Sequence, residues 1–361
     1  MIRPVTARFS SSLVVRVTCA VLATATTAAP VFAQPTAAGP LTGRELTTEA
    51  QSAIDRGLAA LAVKQLKDGS FGASPARSVA VTSLAALAFM QAGNLPGRGR
   101  YGEVVERATT FVLSGAQESG LICADQIHPP MYGHGFATLF LGEVFGMTGD
   151  ERVKEKLQKA VRLIERCQNS DGGWRYQPAP TDADISVTIT QIMALRGARD
   201  AGIKVEKQIV DRAISYVRRC QNGDGGFSYR LNQGFGGDSG FARTGAGIAS
   251  LFYAGVSEGK EIDKGLAFLR KFVPGKSAGG DAEGNYFYGH YYAVQAMYQA
   301  GGRDWDAWFP AVRDQLLKRQ NKATGLWTGD LNDEYATSMA LLILQMPNRY
   351  LPVYSGKGPG S

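Results

Sequence analysis

Two kinds of helical pattern alternate along this chain. In the first, apolar residues recur at helical spacing and charges fill the other face. In ERVKEKLQKAVRLIERC, Val153, Leu157, Ala160, Val161 and Ile164 form one stripe, with Lys, Glu and Arg between them. In the second, charge is nearly absent on every side, as in SVAVTSLAALAFMQAG, ISVTITQIMAL, TGAGIASLFYAG, HYYAVQAMYQAG and YATSMALLILQ. A helix of the first kind keeps one face in water; a helix of the second kind is buried all round.

The junctions between the two kinds repeat. Gln65, Gln117, Gln168, Gln221 and Gln320 each close a charged helix and are followed by Gly and then an aromatic or aliphatic residue: QLKDGSF, QESGL, QNSDGGW, QNGDGGF and QNKATGLW. The separations are 52, 51, 53 and 99 residues, the last being two periods with the Gln replaced near Phe272. Six units therefore cover the chain. Six charged helices alternating with six uncharged ones satisfy both burial rules as two concentric rings, charged outside and apolar inside. The expected fold is all-α, a single α/α toroid of six helical hairpins. A linear solenoid would leave one apolar layer exposed. Gly93, Gly146, Gly202, Gly255 and Gly301 are expected to end inner helices in the left-handed conformation.

Charge and cysteines narrow the setting. Arg3, Arg8 and Arg16 accompany an apolar run without acids that ends in Val31-Phe32-Ala33, the pattern of a secretory signal over residues 1–33. Residues 34–46 then read as a linker, 47–352 as the toroid and 353–361 as a C-terminal tail. Arg16 leaves too short an apolar stretch for a retained membrane anchor, and Arg-Val-Thr before Cys19 is a poor lipid-attachment context. The expected location is periplasmic or extracellular. Cleavage would remove three arginines and no acid, taking the formal charge from +7 to +4. That value and the lack of a basic run with interleaved aromatics exclude nucleic acid as a partner. Cys123, Cys167 and Cys220 are an odd number, so disulfides are not the framework.

The Gln and Gly-x-Trp junction is the repeat motif of the squalene/hopene cyclase and protein prenyltransferase β-subunit superfamily, and the chain is identified as a member on that basis. YGHGFATLF, DGGWRYQP, ADISVTITQIMALRGARDAG, FYGHYYAVQAMY and YATSMALLILQMPNRYLP further resemble exported, single-toroid bacterial proteins described as prenyltransferase/squalene-oxidase repeat proteins. In a toroid the turns leading into the inner helices surround one mouth, where helix N-termini favour polar ligand groups.

Asp182-Ala-Asp184-Ile185 resembles the Asp-x-Asp-Asp acid of class II triterpene cyclases, which implies that Asp184 would protonate an alkene or epoxide, with Ile185 replacing the last acid. The residues alone also read as an N-cap for the helix that follows. His134 and His290 open inner helices three units apart, each in Tyr-Gly-His, and are expected on opposite sides of the mouth. Either a shared polar mouth or backbone bonding at helix starts accounts for them. Tyr132, Trp174, Arg243, Tyr288, Tyr292 and Tyr335 complete the candidates for ligand contact; Arg243 either grips an anion or pairs with Asp184. Asp333 and Glu334 read as first-turn acids.

No metal or other cofactor is expected. Cys123, Asp125, His128 and His134 cluster in sequence but fit no zinc spacing. The Asp-x-Cys pair of protein prenyltransferases is absent, as is the thioester Gly-Cys-Gly-Glu-Gln. Three functions follow. The first is a toroid binding an apolar, isoprenoid-like molecule or a protein segment, a role that allows peripheral membrane contact. The second is a metal-independent cyclase or isomerase with Asp184 as acid. The third is a polysaccharide lyase or hydrolase using Asp182, Asp184 and Arg243.

Overall fold

The computed structural model describes residues 45–72, 78–124, 129–231, 237–275, 285–329 and 331–354. Residues 1–33, read above as a secretory signal, most of the segment read as a linker, Cys19, Asp125, His128 and the end of the tail lie outside them. Twelve α-helices occur among the described residues, with isolated bridge pairs and no strands. The outer helices are α1 (Thr48–Val63), α3 (Gly102–Ser114), α5 (Glu151–Cys167), α7 (Lys207–Arg219), α9 (Lys260–Leu269) and α11 (Gly302–Arg319). The inner ones are α2 (Val79–Gln91), α4 (Pro130–Thr148), α6 (Ile185–Asp200), α8 (Phe241–Tyr253), α10 (Tyr286–Ala300) and α12 (Asp333–Leu344).

Burial follows the two sequence patterns. In α2, twelve of thirteen residues are buried; in α5, seven of seventeen are, all on the apolar stripe. Each inner helix packs on the next, α2 on α4, α4 on α6, α6 on α8, α8 on α10 and α10 on α12, and α12 returns to α2, closing a single toroid. No described helix is long and apolar enough to cross a membrane.

The repeated junction explains how the rings are joined. Gln168 Nε2 donates to Gly172 O at 2.8 Å and to Ile209 O of the next outer helix at 2.8 Å. Gln65 does the same with Gly69 and Val104, and Gln221 with Gly225 and Glu261. Gln320 donates to Gly325 O and to Ala53 O of α1, so the last repeat locks onto the first. The glycine is required twice over: Gly172 has φ of 99°, and a Cβ there would lie 2.2 Å from Arg212 O. The aromatic then drops into the core, where the Trp174 indole N–H donates to Ile164 O at 2.7 Å and Trp327 repeats this with Leu316.

Two boundaries differ from the sequence expectation. Gly146 lies inside α4, and Gly149, with φ of 67°, ends that helix. The physical reason is that α4, with 19 residues against 13 in α2 and 16 in α6, runs on past Gly146 before a left-handed residue is needed. Val353 and Tyr354, read as tail, are buried: Val353 N–H donates to Glu143 Oε1 at 3.2 Å and the Tyr354 hydroxyl meets that of Tyr291 at 2.9 Å. Burial pushes the Glu143 carboxyl up to about 8.

Candidate functional site: a cavity at the inner-helix N-termini

The turns that lead into the six inner helices surround a cavity of about 1150 Å³. All six helices or their caps contribute: Val81 and Leu84 of α2, Phe136 of α4, Ser186 of α6, Arg243 of α8, Phe287 of α10 and Met339 of α12. Of the candidates read from sequence, Tyr132, Arg243, Tyr288 and Tyr335 line it; Asp182, Asp184, His134, His290, Trp174 and Tyr292 do not. Among the described residues no Asp or Glu lines the wall, and Arg243 is its single charged side chain.

Asp184 sits one layer behind the wall. It is the N-cap of α6, with extended backbone, and Oδ1 accepts from Val187 N–H at 2.9 Å and from the Ser186 hydroxyl at 2.7 Å. Its Oδ2 has no hydrogen-bonding geometry; Arg175 Nε stands 3.5 Å away, an ion pair without a hydrogen bond. Complete burial pushes the carboxyl above its ordinary range, outweighing Ser186, Val187, Tyr229 and Arg175, which pull the other way. Asp184 therefore caps the helix and also reaches the cavity indirectly, because the Ser186 hydroxyl lies 2.6 Å from that of Tyr132. Burial and the nearby Asp184 charge raise the Tyr132 phenol, so it stays protonated.

Asp182 is held in the turn that precedes α6. It accepts from Arg175, Arg230 and the Ala183 N–H, the last at 2.8 Å. Partial burial pushes its carboxyl up, but the bonds from Arg230, Ala183 and Arg175 hold it below the ordinary range. Arg175 also lies over the Tyr176 ring at 4.8 Å.

The two histidines belong to helices three positions apart in the ring, yet neither faces the mouth. His134 is fully buried, accepts Ile122 N–H at Nδ1 (3.1 Å) and faces Ala160 O with Nε2 (3.3 Å). The two partners assign the proton to Nε2. Burial pushes this imidazole down to about 4, so it is neutral and ties the second junction to α5. His290 is fully buried among Tyr286 (4.4 Å), Phe241 (5.0 Å) and Trp308 of the outer ring (6.1 Å). The cause is helical geometry. Tyr132 and Tyr288 stand two residues before these histidines, a rotation of about 200°, so when the tyrosines face inward the histidines face outward.

Trp174 is packed between the rings, and Tyr292 is buried against Tyr288 and Tyr291 at 4.9 Å each. Asp333 and Glu334 occupy the first turn of α12, whose cap is Asn332. No group of three metal-ligating side chains and no disulfide occurs among the described residues. Cys220 is buried and its thiol is pushed up to about 12, leaving it unreactive. Cys123 lines the cavity.

Several lining residues escaped the sequence reading: Tyr176, Ser186, Tyr229, Asn285 and Asn332. A signal existed for two of them. Tyr176 and Tyr229 each stand two residues after a junction aromatic, Trp174 and Phe227, and their hydroxyls bond to each other.

A closed double ring of helices with a cavity at the inner N-termini defines a helical-toroid protein. The chain belongs to the prenyltransferase alpha-alpha toroid domain family, whose profile matches residues 41–272. No curated protein sequence matches it significantly. Among solved structures it is similar to an inactive variant of the α-1,6-mannanase of Salegentibacter sp. HEL1_6 in complex with α-1,6-mannotriose: 10% identity, TM-score 0.63, covering 82% of this chain and 99% of that one. It is also similar to the apo type II terpene cyclase MstE from Scytonema (15%, 0.59, 84% and 99%) and to a protein from Actinoplanes (16%, 0.61, 83% and 99%). At these identities the likeness is one of fold.

Proposed function

We propose that the protein binds an apolar, isoprenoid-like molecule in the central cavity, outside the cytoplasm. The observation that carries this reading is the wall itself: a space of about 1150 Å³ faced by Val79, Val81, Leu84, Phe136, Phe287 and Met339, with no carboxylate among the described residues. The volume is above the usual span for small-molecule sites, roughly 300–1,000 Å³, and suits a long chain. Each CH₂ moved from water into it contributes about 0.8 kcal/mol. MstE has been solved with geranylgeranyl dihydroxybenzoate as substrate, which agrees with an isoprenoid occupant for this kind of ring. The sugar-cleaving alternative is less well supported, because Asp182 is held by two arginines and Asp184 is behind the wall.

A second reading, an isomerase or cyclase that protonates its ligand, draws on one specific observation. The buried Asp184 carboxyl is connected through Ser186 to Tyr132 in the cavity wall. Native mass spectrometry of the full chain purified from its own cell envelope tests the binding reading. A co-purified apolar species, or uptake of added squalene or farnesol, is the expected result; a protein that carries and takes up neither overturns it. Conversion of the added squalene would favour the second reading.

A further inference from the structure

Beyond the C-terminus of α12 the chain turns back onto the inner ring. Residues 345–354 pass through two 3-10 turns, Met346–Asn348 and Pro352–Tyr354, and none of them lines the cavity. Gln345 O accepts from Gln91 Nε2, on the last residue of α2, at 2.9 Å, and Asn348 Nδ2 donates to Gln91 O at 3.1 Å. Val353 N–H donates to Glu143 Oε1 of α4 at 3.2 Å, the Tyr354 hydroxyl meets that of Tyr291 of α10, and Pro352–Tyr354 packs on α6. Leu351, Val353 and Tyr354 are buried, so the segment closes the ring on the side away from the cavity. Arg349, midway along it, has φ of 57° and is the one non-glycine residue in the left-handed region among the described residues. The chain bends there against its own preference.

Glu143 is a conditional anchor for such a segment. Its side chain is buried, and among the described residues Val353 N–H is the one donor to Oε1 and Oε2 has no hydrogen-bond partner. The charged and titratable groups that face it are Arg196 and Asp200 of α6, Tyr253 of α8, Tyr291 of α10 and Tyr354 of the segment itself. Arg196 is already paired with Asp200 at 2.5 Å, and the three phenols are neutral, so no free cation balances a carboxylate there. A neutral carboxyl is tolerated in that place; an unpaired buried carboxylate is costly. We infer that residues 345–354 form a pH-sensitive plug, held in the ring while Glu143 is protonated and released from it when Glu143 ionises.

Burial raises the Glu143 carboxyl to about 8, and release returns it to water, where its ordinary value is 4.5. The plugged form is therefore favoured most at low pH and loses ground as pH rises to about 8. Hydrogen exchange of the full chain, read by mass spectrometry at pH 6 and pH 8.5 and corrected for the intrinsic rate, tests this. Amides of residues 345–354 should lose at least about tenfold in protection between the two pH values, while those in the middle of α4 and α6 lose clearly less. Glu143→Gln, which keeps the shape and the acceptor for Val353, should remove that difference. Tyr354→Phe, which loosens the segment without touching the carboxyl, should lower protection at both pH values and keep their ratio. A segment equally protected at both pH values in the wild type, a ratio unchanged in Glu143→Gln, or a loss shared equally by the core helices overturns the inference.

Discussion

The third and fourth junctions, Cys167–Ser186 and Cys220–Phe241, are built alike and end differently. In both, a Gln amide spans the turn and the next outer helix, and a glycine with positive φ meets a backbone carbonyl. In both, the aromatic N–H donates to a threonine one turn into the inner helix, Trp174 to Thr188 and Phe227 to Thr244, each at 3.1 Å. The helices then start on different residues. Asp184 caps α6 with a buried carboxylate and links to Tyr132, whereas Gly240 caps α8 with no side chain, and Arg243 lies on the cavity. What repeats holds the ring together, and what departs from the repeat furnishes the mouth.

Breaking the shared part should cost both junctions equally and heavily. Gly172→Ala and Gly225→Ala would place a Cβ 2.2 and 2.4 Å from the carbonyls of Arg212 and Lys264, at φ of 99° and 90°. Each is expected to lose about 3 kcal/mol or more in urea denaturation, or to fail to fold. A loss confined to one would contradict the equivalence.

The next effect separates the acids from the rest of the fold. Glu143 and Asp184 have carboxyls raised by burial, so the folded state holds protons that the unfolded chain releases. The stabilising contribution is complete below the ordinary carboxylate range and is lost as pH rises through the folded values. Glu143 alone lowers stability by on the order of 4 kcal/mol between about pH 4.5 and pH 8, but His134, pushed down to about 4, raises it up to about pH 6.5, so the net fall is expected above about pH 6.5 and amounts to about 2 kcal/mol. Glu143→Gln should remove most of that slope and Asp184→Asn a further share of the fall with rising pH, both read from denaturation midpoints across pH. Stability that rises above about pH 6.5 in the wild type, or a slope unchanged in Glu143→Gln, would contradict the burial account.

Smaller again are the threonines. Thr188→Val and Thr244→Val each strip the acceptor from a buried N–H and should cost about 1–3 kcal/mol, alike in both junctions. Smallest is the cap: Asp184→Ala should lose about 1 kcal/mol and Asp184→Asn less, because Asn also caps. If both variants lose several times that amount, the Arg175 pair matters more than the cap.

These differences also show what a reader of the sequence can reach. The junction was legible because Gln, Gly and an aromatic recur at one period, and two alternating charge patterns imply two rings. The lock from Gln320 to Ala53 was not, because nothing in the spacing states where the sixth unit ends in space. Thr188 and Thr244 sit in apolar helices, where a threonine reads as neutral filler, and their acceptor role needs the folded turn. His134 and His290 were visible as a pair, but their direction follows from the tyrosines two residues earlier. Tyr132, Arg243, Tyr288 and Tyr335 were found at the wall because they stand at helix starts. Ser186 was missed because its role lies between Asp184 and Tyr132.

If the cavity takes up an apolar chain, filling it with a side chain must weaken the binding. Full-length protein and a Leu84→Trp variant, which adds an indole to the wall, should be titrated with farnesol by intrinsic fluorescence, with helical content checked by circular dichroism. Saturable binding to the wild type is expected, with at least about a tenfold loss in the variant at unchanged helicity. Equal binding by both proteins, or binding by neither, would contradict it.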